Sequence, residues 1–214
     1  MIAMAAGVLG VVAVVGVAAG HPVAVLPLLL GVGFCLYFFR DPERQPPPDD
    51  HLVVSPADGR VLEVREEREE QFLHQPATRI SIFMSPLDVH VNRSPVAGTI
   101  ELVRHTAGRF RAAFADKASL DNERNAVLLT APGGRFLVVQ IAGALARRII
   151  CNRRPGDRLA RGERFGMIMF GSRVDVYLPD GVRPLAAEGQ TTVAGETVIA
   201  DLRGGEQGRS YRVG

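Results

Sequence analysis

A serine that follows a glycine at the mouth of a strand can attack its own backbone. Gly171-Ser172 lies where an apolar run ends and an alternation begins, with Val174, Val176 and Leu178 set against Arg173, Asp175 and Tyr177. The glycine leaves the carbonyl before Ser172 open and permits strained backbone angles. The plainer alternative is a serine at a strand entrance. Two other segments hold groups that such chemistry needs. The run Ser-Pro-Ala-Asp-Gly-Arg-Val at 55–61 holds Asp58 in a Pro/Gly turn, where it either supports a base or caps its own backbone. The run 83–98 packs Asp88, His90, Asn92 and Arg93 between Pro86 and Pro95. In an extended segment Asp88, His90 and Asn92 point to one side and Arg93 to the other.

Asp58, His90 and Ser172 thus stand in the chain order acid, base, nucleophile, and a catalytic triad is defined by roles, whatever its order. A serine hydrolase is one reading of these residues. The Gly-x-Ser-x-Gly elbow is missing, because Val174 stands two positions after Ser172.

The elements that must position these groups fall into two unlike regions. No charged residue precedes Arg40, so all 25 basic and 23 acidic residues follow. Residues 2–19 and 23–39 are two uncharged apolar runs split by Gly20-His21-Pro22. As helices they span roughly 25–27 Å each, a little short of a hydrocarbon core of about 30 Å. Two short spans or one re-entrant hairpin both fit. Without a basic n-region, a cleaved signal peptide fits poorly, and a buried soluble helix pair is the non-membrane alternative. Tyr37 suits an interface and Arg40 and Arg44 a cytoplasmic flank, so both chain ends are expected in the cytoplasm. Residues 41–50 read as a Pro-rich linker between the hairpin (1–40) and a body (51–214).

The body reads as mostly β (α+β). Apolar-alternating runs at 53–54, 59–64, 80–84, 98–103, 126–129 and 136–141 are separated by turn residues. The charged run 66–70 reads as a solvated loop or helix face. Residues 156–166 and 187–202 read as two Gly-turned hairpins that echo one another, as in barrel-sandwich folds, although no exact repeat is visible. Net charge is +2 without Lys/Arg clustering, which argues against nucleic-acid binding. Cys35 and Cys151 form neither a CxxC pair nor a metal spacing, so a reduced body without a metal is expected.

The whole constellation resembles the phosphatidylserine decarboxylase proenzymes, in their short bacterial and archaeal form. The resemblance rests on Phe38-Phe39-Arg40-Asp41-Pro42, Ser-Pro-Ala-Asp-Gly at 55–59, Ser-Pro-x-Asp-Val-His-Val-Asn-Arg at 85–93, Asn122-Glu123-Arg124-Asn125 and Phe170-Gly171-Ser172. It implies a membrane-associated lyase that cuts itself between Gly171 and Ser172. Ser172 would become a pyruvoyl group, and fragments 1–171 and 172–214 would stay together as a heterodimer that can oligomerise further. The pyruvoyl would condense with the amine of phosphatidylserine as a Schiff base, yielding phosphatidylethanolamine and CO₂. By resemblance His90 serves as base and general acid, with Asp58 orienting it. Longer members carry a second histidine where this chain has Arg93. Either His90 serves both steps, or Arg93 binds the substrate's carboxylate or phosphate. Asn125 is a further substrate-binding candidate. The body is expected at the cytoplasmic face of the cell membrane. Three alternatives stay open: an archaetidylserine-type substrate, the serine hydrolase, and a membrane-anchored binding module without chemistry.

Overall fold

The computed structural model describes residues 22–109, 122–143, 148–169 and 171–203, with positions 7, 10–12 and 14–16 before them. The chain divides into two compact units, Met1–Pro42 and Glu43–Gly214. Phe170 of the expected processing motif and much of the first apolar run lie outside the described residues.

In the first unit, α1 (Pro22–Phe38) is apolar on every face and contains Pro27. The described positions before residue 17 are also helical. A Cβ on Gly16 would lie 2.6 Å from Val25 Cγ2, so glycine permits the two helical stretches to approach. Leu29, Leu30 and Leu36 stay exposed. The Arg40 guanidinium sits 3.8 Å over the Tyr37 ring and donates to the Tyr37 carbonyl. No helix among the described residues is long and apolar enough to cross a membrane.

The second unit is built from β1 (Leu52–Val54), β2 (Gly59–Glu69), β3 (Gln75–Met84), β4 (Val91–Arg93), β5 (Gly98–Thr106), β6 (Arg124–Ala131) and β7 (Gly134–Ile141). It continues with β8 (Ile149–Cys151), β9 (Arg158–Leu159), β10 (Arg164–Ile168), β11 (Ser172–Pro179), β12 (Arg183–Pro184), β13 (Thr191–Thr192) and β14 (Val198–Asp201). An eight-stranded sheet runs β13-β2-β3-β11-β7-β6-β5-β9, and two three-stranded sheets run β1-β14-β12 and β4-β10-β8. Every strand pair in these sheets is antiparallel. Alternate residues of the large sheet feed two cores. Ile80, Ile82, Val138, Val174 and Val176 lie on the inner face, and Leu128, Leu137 and Val139 on the outer one.

The large sheet is a palindrome. β13-β2-β3-β11 on one side matches β9-β5-β6-β7 on the other, while β1-β14-β12 matches β4-β10-β8. The match extends to single hydrogen bonds. Val54 N donates to Pro95 O (3.0 Å) and Arg93 N to Pro56 O (2.9 Å). Ser55 Oγ donates to Ala57 O and Ser94 Oγ to Val96 O, both at 2.7 Å. Gly195 N donates to Ser55 O and Gly162 N to Ser94 O, both at 2.8 Å. Both long hairpins carry a register shift at the same place, between Val61 and Glu63 and between Ile100 and Leu102. The body is therefore a duplicated framework. One repeat (β4–β10) is inserted into the other (β1–β3 with β11–β14).

Three expectations change. The charged run 66–70 is largely strand, because β2 continues to Glu69 opposite Gln75. The segments 156–166 and 187–202 turn at Gly162 and Gly195, both at positive φ, but neither is a hairpin. β9 joins the large sheet and β10 a small one, as do β13 and β14. Their likeness, read without an exact repeat, is one part of the duplication. Residues 43–50 also lie on the body: Arg161 donates to the carbonyls of Pro47, Asp49 and Leu52, and Arg164 pairs with Glu43.

Candidate active site

Ser172 opens β11, which pairs with β3 on one side and β7 on the other. Two neighbours fix its register, so Ser172 stands opposite Met84 on the inner face. The side chain is fully buried, and its Oγ lies 3.5 Å from Met84 Sδ, a weak acceptor. Gly171 has φ +62°, a left-handed conformation that glycine adopts without the Cβ penalty.

His90 is fully buried just before β4. Its Nδ1 lies 2.8 Å from the Asp88 carbonyl oxygen. A carbonyl only accepts, so Nδ1 carries the hydrogen and Nε2 of the neutral ring keeps the lone pair. Ile168 N donates to the His90 carbonyl (3.2 Å), which ties the histidine to the end of β10, from which the chain runs to Gly171-Ser172.

Asp88 does not share the face of His90 and Asn92. Its carboxylate accepts from Ser85 N (2.7 Å) and closes a turn over 85–88, so the segment is not extended there. Asp58 sits in its turn as expected and accepts from Arg44 Nη2 (2.9 Å) and Ala194 N (2.7 Å). Arg93 is buried and donates Nη1 to the Gly162 carbonyl (3.0 Å). Asn122 rivets the ends of β6 and β7 by donating to Ala142 O (2.8 Å).

Asn125 has a different place. Its Nδ2 donates to Gln140 Oε1 (2.9 Å), and Gln140 Nε2 donates to Asn92 Oδ1 (2.8 Å). Asn92 Nδ2 lies 3.6 Å from Met84 Sδ, the sulfur that Ser172 also touches. Gly166 makes room for this chain, because a Cβ there would lie 2.7 Å from Gln140 Nε2 and 2.5 Å from Ile150 O. Sequence reasoning missed Gln140 and Met84. The available signal was Gln140 itself, an amide in phase with Phe136 and Val138 in an otherwise apolar alternation.

On the outer face of β11 the polar groups are ionic. Arg173 grips Asp175 with Nε (2.6 Å) and Nη2 (3.0 Å), and Arg79 Nη1 lies 3.9 Å away. Burial alone would lower the Arg79 pKa. Asp175, Tyr177, Glu67 and Glu63 outweigh it and hold the pKa above its ordinary value. Burial and then Asp175 push the Tyr177 phenol upward. This cluster lies across the sheet from Ser172 and supports the fold.

The family profile described as phosphatidylserine decarboxylase matches residues 32–200. Among similar proteins, the phosphatidylserine decarboxylase proenzyme of Gluconacetobacter diazotrophicus is 56% identical over 174 residues, covering 79% of this chain and 77% of that protein. The proenzyme of the same name from Gluconobacter oxydans is 56% identical over 173 residues, with the same two coverages. The matched span holds Ser172, His90, Asp58, Arg93 and Asn125, and the chain belongs to the phosphatidylserine decarboxylase family, a family of carboxy-lyases.

Proposed function

We propose that this chain is a self-processing decarboxylase that converts phosphatidylserine to phosphatidylethanolamine and CO₂, and that Ser172 is the residue it processes. The observation that carries the proposal is Gly171-Ser172 itself. A left-handed glycine is followed by a fully buried serine, within a family whose members are proenzymes. In the cutting step Ser172 Oγ attacks the Gly171 carbonyl carbon, and His90 Nε2 takes the hydroxyl proton. The ester so formed loses the β-oxygen by elimination, which leaves Gly171 as a carboxylate. Water then replaces the α-nitrogen, released as ammonia, and residue 172 is left as a pyruvoyl group joined to Arg173.

The residues around Ser172 suit that small, planar, uncharged group. Met84 offers an apolar thioether, Asn92 an N–H, and His90 a lone pair or a proton. A pyruvoyl group supplies an electron sink for the departing CO₂. His90 holds the proton to be delivered to the substrate's α-carbon, with Nδ1 anchored on the Asp88 carbonyl. The planar donor fork of Arg93 suits a carboxylate or phosphate. Arg44 and Ala194 hold Asp58 beside Arg93's segment, which is bound back to Pro56 O.

The fragments need no covalent tie. β11 of the small fragment pairs with β3 and β7 of the large one, β13 with β2, and β14 with β1. The uncharged segment before Arg40 supports attachment of the body to the cytoplasmic face of a membrane, where an insoluble lipid must be met. Intact-mass measurement of the wild type beside Ser172→Ala tests the processing. The expected result is two wild-type fragments that break after Gly171, the smaller lacking a free α-amine, and one uncut variant chain. An uncut wild type that binds a fluorophosphonate at Ser172 would favour the hydrolase instead. Removing residues 1–39 is expected to spare self-cleavage and lower turnover on phosphatidylserine vesicles. Undiminished turnover would refute the attachment.

A further inference from the structure

The amide chain behind Ser172 is more than folding requires. Asn92 and Gln140 are fully buried and Asn125 is 3% exposed. The duplicated framework shows what the same positions hold when no chemistry is asked of them. Register equates Asn92 with Val53, Gln140 with Leu178, and Asn125 with Thr78. Val53 and Leu178 are fully buried in the apolar core. The scaffold therefore packs without amides there. Burying amides brings a risk of about 1–3 kcal/mol for each group left unsatisfied. Register likewise equates Ser172 with Gly134 and Met84 with Ala131, and both are paired across their strands. The inserted repeat thus carries buried amides at two positions, Asn92 and Gln140, where the other repeat has apolar Val53 and Leu178.

The cutting step creates a charge at that point. As the Oγ–C bond forms, an electron pair moves onto the Gly171 carbonyl oxygen, while the hydroxyl proton goes to His90. As the carbonyl re-forms, the C–N bond to residue 172 breaks and the nitrogen takes up a proton. Ser172 is fully buried, so a protein donor must meet the oxyanion where water cannot. Asn92 Nδ2 and Ser172 Oγ touch the same sulfur. Gln140 occupies the Asn92 oxygen, which leaves the Asn92 N–H on the Met84 sulfur that the nucleophile also touches.

We propose that Asn92 is a catalytic residue of self-cleavage, donating its side-chain N–H to the oxyanion on Gly171, and that Gln140 and Asn125 are its positioning residues. This rests on the reading of Ser172 as the processed residue. Met84 completes the arrangement, because a thioether is a weak partner that the Ser172 hydroxyl leaves at little cost when it turns to His90.

The test follows cleavage of freshly synthesised full-length chain over time by intact mass, with thermal melting of each uncut variant in the Ser172→Ala background. The variants borrow the other repeat's residues, Asn92→Val and Gln140→Leu. Asn92→Val is expected to slow cleavage roughly 10²-fold or more. Gln140→Leu is expected to slow it less, and to add nothing in the Asn92→Val background, because it acts through Asn92. Gln140→Glu, which keeps the acceptor for Asn125 but has no N–H for Asn92, is expected to slow cleavage at least about tenfold and, as a buried acid, to lower melting; slowed cleavage at a temperature where it stays folded carries the test if Asn92→Val fails to fold. Wild-type cleavage with wild-type rates in the folded variants would overturn this inference alone. Additive effects of the two changes would overturn the positioning role. A wild type that never cuts would overturn the processing reading, and this inference with it.

Discussion

The two repeats of the body share a backbone and differ in where they put polarity. The inserted repeat carries Asn92, Gln140 and Asn125 on the inner face, where the other has Val53, Leu178 and Thr78. On the outer face the roles reverse. Arg79, Ser81 and Asp175 stand where the inserted repeat has Ala126, Leu128 and Leu137. Even the backbone at the proposed processing site is duplicated, since Gly133-Gly134 matches Gly171-Ser172 and both first glycines have positive φ. His51 likewise matches His90, but lies 4.0 Å from Asp201 and is partly exposed. A glycine in a left-handed turn and a histidine at the start of a strand are thus properties of the framework. A buried serine on β11 of one repeat, with a chain of amides from the inserted repeat behind it, is what the framework alone does not supply.

The largest expected effect of moving residues between repeats is on the outer face. Asp175→Leu, which copies Leu137, removes the carboxylate from a buried, bidentate pair and leaves Arg173, 4% exposed, with Ser81 as its remaining described side-chain partner. A buried charge deprived of its partner costs about 3–5 kcal/mol, to be read from urea denaturation in the Ser172→Ala background. A loss under about 1 kcal/mol would mean that Glu63 and Glu67, or water, take over the two arginines.

The sequence alone shows the candidate chemical groups more readily than it shows that there are two repeats. Local signals survive: the strands at 53–54, 59–64, 80–84, 98–103, 126–129 and 136–141 all form, because alternation and turn residues act within a few positions. The motif at 85–93 also holds Asn92, which shares the Met84 sulfur with Ser172. Register between strands is not local. Ser172 meets Met84 across 88 positions and Gln140 meets Asn92 across 48, so neither contact leaves a pattern in either segment. The echo between 156–166 and 187–202 is legible as composition, but its physical content is two turns that each pass the chain from one sheet to another. Asp88 misleads because an extended segment would turn it to the side of His90 and Asn92, whereas a proline-containing turn claims its carboxylate first.

The next effect in size comes from the floor of the amide chain. Register equates Gly166 with Ala200, which is fully buried and packs normally. Gly166→Ala would put a Cβ 2.5 Å from Ile150 O and 2.7 Å from Gln140 Nε2. Overpacking of this kind costs about 1–3 kcal/mol, and cleavage should slow because Gln140 is pushed off Asn92. Normal cleavage with lowered stability would separate the packing role of Gly166 from the chemistry. Gly134→Ser is milder. It recreates Gly-Ser in the inserted repeat at a cost of about 1 kcal/mol, because φ is +126° there and Pro179 Cβ is 3.1 Å away. No second cut is expected after Gly133. A cut there would show that backbone geometry suffices and that the amides are dispensable.

The smallest effect appears only in alkali. Tyr177 stands where the inserted repeat has Val139, and its phenol is pushed upward first by burial and then by Asp175. The folded chain therefore keeps a proton that the unfolded chain releases above about pH 10. Where the folded state binds more protons than the unfolded one, stability falls as pH rises. The uncut chain should lose stability from about pH 10 upward, and Tyr177→Phe should flatten that limb while changing little at neutral pH. Melting temperatures measured between pH 8 and about 11 decide it. An alkaline limb unchanged by Tyr177→Phe would move the buried proton away from Tyr177 and leave the outer ionic cluster, with Arg79 held charged by Asp175, as the source of any remaining dependence.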